Sequence, residues 1–145
     1  MPHPRQTIRD NIETVLNDVF SPLSIPVITG GQYANEEKNL PNVLFYMGDE
    51  SQTVLNQVRN LNAYSRGMTL YVVLKTKNKD RETAIIDCEN NARLVEDALC
   101  NPNSSILNDT ITTIVYNSYQ VSEPKEGSTV FATQLTFTIN YTDSF

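Results

Sequence analysis

The sequence predicts a single α+β domain: a mostly antiparallel sheet of about four to five strands, two helices packed on one face, and an extended arm or long loop. Three observations carry this expectation. Two segments, near residues 8–20 and 81–99, repeat apolar side chains at helical spacing. The chain closes on two β-rich segments joined by a short polar loop containing Pro124 and Gly127. Met68 to Lys77 carries apolar groups on both faces, as a central strand does.

Thr7-Ile8-Arg9-Asp10 matches a capping box, with Thr7 as the cap and Asp10 at the third helical position. Ile8, Ile12, Val15, Leu16 and Val19 follow on one helical face, and Ser21-Pro22 stops the helix. Ile25 to Thr29 reads as a short strand or extended entry into a turn at Gly30-Gly31. Ala34 to Asn42 is a polar loop with Glu36, Glu37 and Lys38, and Val43 to Met47 is a compact strand that Gly48-Asp49 ends. In Glu50 to Arg66 a helical spacing of Val54, Val58 and Leu61 is opposed by Asn56, Asn60 and Asn62, poor interior helix residues. That stretch is expected to be an extended arm or long hairpin limb.

In Met68 to Lys77, Leu70, Val72 and Leu74 point one way and Tyr71, Val73 and Lys75 the other. Asn78-Lys79-Asp80 is a turn able to cap the second helix, whose seam is Ile85, Cys88, Ala92, Val95 and Leu99. Glu82, Glu89 and Glu96 lie on its flank beside Arg93, and Asn101-Pro102 terminates it. Thr110 to Val121 is a strand, Ser122 to Ser128 a hairpin loop, and Thr129 to Tyr141 a strictly alternating strand. There Phe131, Leu135, Phe137, Ile139 and Tyr141 oppose Thr136, Thr138 and Asn140.

The chain has 145 residues and a mass of 16.3 kDa. A domain of about 150 residues buries roughly 70% of its unfolded surface, enough to fold without a disulfide or metal. With 17 acids against 11 bases the net charge is −6 and the pI about 4.7, which argues against a nucleic-acid-gripping protein. Mean hydropathy is −0.35 with 39% hydrophobic residues, the composition of a folded chain and not a disordered one. No apolar h-region follows Met1-Pro2-His3-Pro4-Arg5, so no secretory signal is expected. The apolar run Leu70 to Leu74 is far shorter than the span of about 20 residues that crosses a bilayer. Cys88 and Cys100 would stand about 18 Å apart on one helix, too far for a disulfide. They suggest free thiols in a reducing compartment, hence synthesis in a cytoplasm.

The residues offer little chemistry. The single imidazole, His3, lies between Pro2 and Pro4 and is expected to be an exposed, frayed end. Glu36-Glu37 and Asp49-Glu50 read as solvated acids, and no phosphate loop or cation loop is present. No enzyme, cofactor or metal site is expected. Arg59, Arg66, Lys75, Lys77, Lys79 and Arg81 are six of the eleven bases. They read either as a solvated strand end or as a protein contact. In the second reading the basic strand end meets Glu82, Glu89 and Glu96 on a neighbouring copy. Ile86 points away from the second helix's seam, as a lone exposed apolar residue or an interface residue, and Tyr64 is a further interface candidate.

Four segments, taken in order, resemble a known family. They are the opening helix Thr7 to Phe20; Leu40-Pro41-Asn42-Val43-Leu44-Phe45-Tyr46-Met47-Gly48-Asp49-Glu50; Ser65-Arg66-Gly67-Met68-Thr69-Leu70-Tyr71-Val72-Val73-Leu74 with the long helix behind it; and the closing strand Gly127 to Tyr141. Together they are similar to the tail-terminator (tail completion) proteins of long-tailed bacteriophages, of the lambda minor tail protein U type. The resemblance implies a structural virion protein of the tail or neck, assembled in the host cytoplasm. It would form a ring, typically six-fold, that caps the tail tube protein, ends its polymerisation and offers a surface to the head connector or stopper. Glu50 to Arg66 would be an arm that orders on assembly. DNA would pass through the lumen without specific binding, and no membrane is involved. Six copies would carry six times the −6 charge of one, and an acidic wall would avoid phosphate attraction. The alternatives are another neck or head-completion protein, or a small non-viral α+β protein-binding module.

Overall fold

The computed structural model describes residues 3–28, 41–58, 61–100, 113–122 and 129–144. Helix α1 spans Pro4–Phe20 and is followed by one 3₁₀ turn, Ser21–Leu23. Strand β1 is Val27–Ile28, β2 Asn42–Val58 and β3 Leu61–Lys77. Helix α2 is Arg81–Cys100, β4 Thr113–Ser122 and β5 Val130–Ser144. The Gly30-Gly31 turn, the loop acids Glu36 and Glu37, Arg59, the terminator Asn101-Pro102 and the loop after Ser122 lie outside the described residues.

The five strands form one open sheet in the order β1-β2-β3-β5-β4. β1 joins β2 in parallel; every other pairing is antiparallel. β3 is the central strand, paired along its length with β2 on one side and from Ala63 to Lys77 with β5 on the other. Its Met68, Leu70, Val72 and Leu74 are buried, as are Val43 and Phe45 of β2 and Leu135, Phe137, Ile139 and Tyr141 of β5. These make the sheet's apolar face, and α1 and α2 cover it. α1 contributes Ile8, Ile12, Leu16 and Phe20 at a four-residue spacing, which stacks them on one side of the helix. α2 contributes Ala84, Cys88, Ala92, Val95 and Leu99. Ala84 thus takes the seam position expected of Ile85, which is half-buried against Ala84, Cys88 and Phe131.

The largest differences from the expected boundaries are at the start of α1 and in the β2–β3 hairpin. α1 begins one turn early. His3, not Thr7, is its N-cap, and His3 Nδ1 accepts a hydrogen bond from the Arg5 N–H at 3.0 Å. Pro4 occupies the first helical position, where its fixed φ and missing N–H cost nothing. The expected fraying is therefore corrected: the imidazole stays exposed but is engaged. Nor does Gly48-Asp49 end β2. The strand runs on to Val58 through a register shift between Met47 and Glu50, the mark of a β-bulge. The expected arm from Glu50 to Arg66 is thus the far half of a long β2–β3 hairpin. At the other turn the expectation holds. Asp80 caps α2, with Oδ1 accepting from the Glu82 N–H at 3.2 Å and Oδ2 from Thr83 Oγ1 at 2.8 Å.

The two candidate caps separate by mutation: His3→Ala should lower stability by about 1 kcal/mol, and Thr7→Ala by less than about 0.5 kcal/mol, in urea unfolding. By the same measurement Leu70→Ala should cost about 2–5 kcal/mol and Ile86→Ala, at the outer surface of α2, within about 0.5 kcal/mol. Equal losses at positions 70 and 86 would contradict the layer assignment.

Candidate functional site

The bulge in β2 shifts the strand's phase by one residue. Before it the odd positions Val43 and Phe45 face the helices; after it Glu50 does, opposite Met68. Glu50 is therefore not the solvated acid expected from Asp49-Glu50; its side chain is 17% exposed. Its Oε1 lies 3.3 Å from Arg66 Nη1. Its Oε2 lies 3.5 Å from Arg5 Nη1 and accepts a hydrogen bond from Tyr141 Oη at 2.9 Å. Arg5 Nη2 also donates to the carbonyls of Met47 and Gly48 at the bulge. Arg66 Nη1 stands 3.1 Å from His3 Nε2. Burial pushes the Tyr141 phenol up, with the neighbouring Glu50 adding to the shift, so the hydroxyl remains a donor at neutral pH. One carboxylate thus ties α1 to β2, β3 and β5.

The expected basic run does not form one patch. Arg66 is buried on the helix side. Lys75 and Lys77 lie on the opposite face of β3 by alternation, and burial lowers the Lys75 ammonium. Lys79 is exposed in the turn beyond the strand. Tyr64 holds a backbone register position between Val54 and Asp143. On α2, Glu82 and Glu89 are exposed. Glu96 is instead engaged within the fold, 3.7 Å from Arg93 and close to Tyr116, whose phenol is pushed up by burial first and by Glu96 second. Ile86 is 48% exposed, as expected of a residue off the seam.

Both sides of the sheet end in open strand edges among the described residues. β4 pairs only with β5. Its sequence, Thr-Ile-Val-Tyr-Asn-Ser-Tyr-Gln-Val-Ser, holds no charge and no proline, the devices that usually protect an edge. Val115 and Val121 on it are 49% and 54% exposed. At the other side β1 covers β2 only at Val43 and Leu44, leaving the outer side of β2 from Phe45 onward without a described partner strand. The sheet face turned away from the helices mixes polar side chains with the apolar Leu44, Val73 and Val115. Asn117 donates to Thr138 at 2.6 Å, Asn140 to Thr113 at 3.0 Å and Gln134 to Gln120 at 3.4 Å. Tyr46 and Tyr71 stack there with ring centres 4.9 Å apart.

No family model matches the chain, and no curated protein matches it significantly. The site must be read from its own geometry.

A cleft of about 350 Å³ lies between the start of β2, the end of β3 and α2, with Leu23, Ile25 and Pro41 facing Thr76, Asp87 and Asn90. Among the described residues no three His, Cys, Asp or Glu side chains are grouped to hold a metal ion. No described helix is long and apolar enough to cross a membrane. Cys88 and Cys100 are free, as expected, and burial pushes both thiols up, which slows thiolate chemistry. Sequence reading missed His3, Arg5, Glu50 and Tyr141 as a group. The usable signal was Gly48 inside an apolar-to-polar strand transition, since glycine within a strand often marks a bulge.

If the basic strand end meets the α2 flank of a neighbouring copy, Glu82→Lys with Glu89→Lys should weaken self-association, and adding Lys77→Glu and Lys79→Glu should restore it. Oligomer size unchanged in light scattering by either set would refute that contact.

Proposed function

We propose that this chain is the ring-forming structural subunit of a bacteriophage tail or neck, of the tail-terminator kind. In this reading it caps the tail tube, ends its polymerisation and presents a joining surface to the head connector. The observation that carries the reading is the pair of dissimilar open edges, β4 on one side of the sheet and the outer side of β2 on the other. A contact joining two different patches is head-to-tail. It repeats from copy to copy and closes into a ring when the rotation between copies permits. A two-fold dimer would instead use one edge twice.

The distribution of charge also fits. α1 and α2 hold Asp10, Glu13, Asp18, Glu82, Asp87, Glu89, Glu96 and Asp97, so much of the acidity belongs to the helical layer. The bare sheet face is rich in Thr, Asn and Gln, with Lys75 and Lys77 towards one end. A wall of neutral amides and hydroxyls lacks the dense cationic contacts that make phosphate binding strong. DNA could then slide past the sheet without the lumen being lined by acids.

The open edges favour a second reading, a binding module that accepts an extended peptide as an added strand. Light scattering and native mass measurement on the purified chain, with and without tail tubes, separate the two. The ring reading expects a ring-sized species, or a monomer that assembles when tubes are added. A Val115→Lys variant should keep its stability within about 0.5 kcal/mol and lose that assembly, because a charge on the edge opposes strand addition. A stable monomer indifferent to tubes would overturn the ring in favour of the module.

A further inference from the structure

The two open edges of the sheet are flanked by opposite charge on the side the helices cover. At the β4 edge the flanking helix is α2. Burial pushes the Tyr119 phenol of β4 up, and the nearby charges of Glu89 and Glu96 add to the shift. Those two acids therefore stand on the β4 flank of α2. Glu82 falls in line with them, seven residues before Glu89, since seven residues make about two helical turns. Arg93 is the base beside them, 3.7 Å from Glu96. Ile86 shares the flank, between Glu82 and Glu89 at helical-neighbour spacing. Tyr116 and Val121 lie on the helix side of β4, opposite Phe137 and Thr133, and remain exposed.

At the other edge the flanking helix is α1. A cleft of about 210 Å³ runs between α1 and the edge of β2, lined by Arg5, Arg9, Phe45, Tyr46 and Met47. Arg5 leans over the strand, donating to the carbonyls of Met47 and Gly48, and shares its charge with Glu50. Arg9, one turn on, is exposed and carries the outward charge. α1 then runs back towards Val43, where β1 covers the edge, and Glu13 lies in that direction. The uncovered part of the edge is thus flanked by arginine.

Resting on the ring reading, we infer that β4 of one copy adds to the outer side of β2 of the next, with the acidic flank of α2 set against Arg9 and Arg5 of the neighbour's α1. Strand direction favours this joint. β2, β3, β5 and β4 alternate in direction, so β4 runs opposite to β2. A neighbour in the same orientation therefore pairs antiparallel, as most of the sheet does, and keeps its helices on the same face. β4 has ten residues, fewer than β2 offers from Phe45 to Val58. Opposite charges then meet where α2 of one copy comes beside α1 of the next. A two-fold contact does the reverse. β4 against β4 brings two acidic flanks together, and like charges across an interface are costly. Charge thus selects the head-to-tail joint over the symmetric one.

Assembly of the full chain, followed by light scattering with tail tubes added where wild type needs them, tests the joint. Arg9→Glu and Glu89→Lys should each weaken assembly about tenfold, because each sets like charges across the joint. An equimolar mixture of the two variants should recover wild-type assembly, because alternating copies restore opposite charge at every joint. A single chain carrying both changes should recover it as well. Both side chains are exposed, so thermal unfolding of each variant should match wild type. If either reversal does not fold, Arg9→Gln and Glu89→Gln decide, each weakening assembly about threefold. Variants that assemble like wild type, or a mixture as weak as its components, overturn the joint and leave the ring standing. So does rescue of Glu89→Lys by Lys77→Glu with Lys79→Glu but not by Arg9→Glu, which sets the α2 flank against the strand end instead. A wild-type chain that stays monomeric with tubes added overturns the ring and the joint together.

Discussion

The alternation of β3 is the constraint on which the other elements depend. A strand turns successive side chains to opposite faces, and β3 is hydrogen-bonded on both sides, so its phase is passed to β2 and β5. Met68, Leu70, Val72 and Leu74 all fall on one face and are buried. That face must be covered, and the stacked rows Ile8–Ile12–Leu16–Phe20 of α1 and Cys88–Ala92–Val95–Leu99 of α2 cover it. The opposite face, with Tyr71, Val73 and Lys75 in the same strand, is left to hydroxyls, amides and the Tyr46–Tyr71 stack.

β2 departs from the phase that β3 imposes, and the departure has chemical consequences. An unbroken strand would carry Asp49 inward and Glu50 outward. The bulge after Met47 reverses this, so a longer carboxylate reaches beneath the first turn of α1. There it meets Arg5 and Arg66, while His3 closes the helix end above. The pair is neither a surface ion pair of small worth nor a bare buried charge, because the Tyr141 hydroxyl completes the carboxylate's hydrogen bonding. Local backbone irregularity and long-range electrostatics are thus linked through one residue.

The net charge of −6 first argues against a protein that holds nucleic acid. Its placement matters more than its size. The helices hold eight acids and four arginines, Arg66 is buried, Lys75 and Lys77 stand at the far end of β3, and β4 has no charge at all. An uncharged edge strand offers its backbone to another strand without repulsion. The proposed ring draws on that property and on the different edge that β2 presents on the other side of the sheet, while charge steers which copies meet.

The sequence by itself determined the α+β class, both helices, the alternating rows of β3 and β5, a capping turn at Asn78 to Asp80 and the position of Ile86 off the seam of α2. Each follows from short-range periodicity or capping chemistry, which reads out within a few neighbours along the chain. It suggested an extended arm from Glu50 to Arg66, though not that this arm continues β2 and β3 without a break. Only the tertiary structure decided that Gly48-Asp49 is a bulge and not a strand end, because a bulge is defined by the register of the partner strand. Only it turned Glu50 inward, set Arg66 beside it and brought His3 Nε2 next to Arg66. Those outcomes depend on groups far apart in sequence, Tyr141 with Glu50 and His3 with Arg66, and no local pattern records which distant strand will lie alongside.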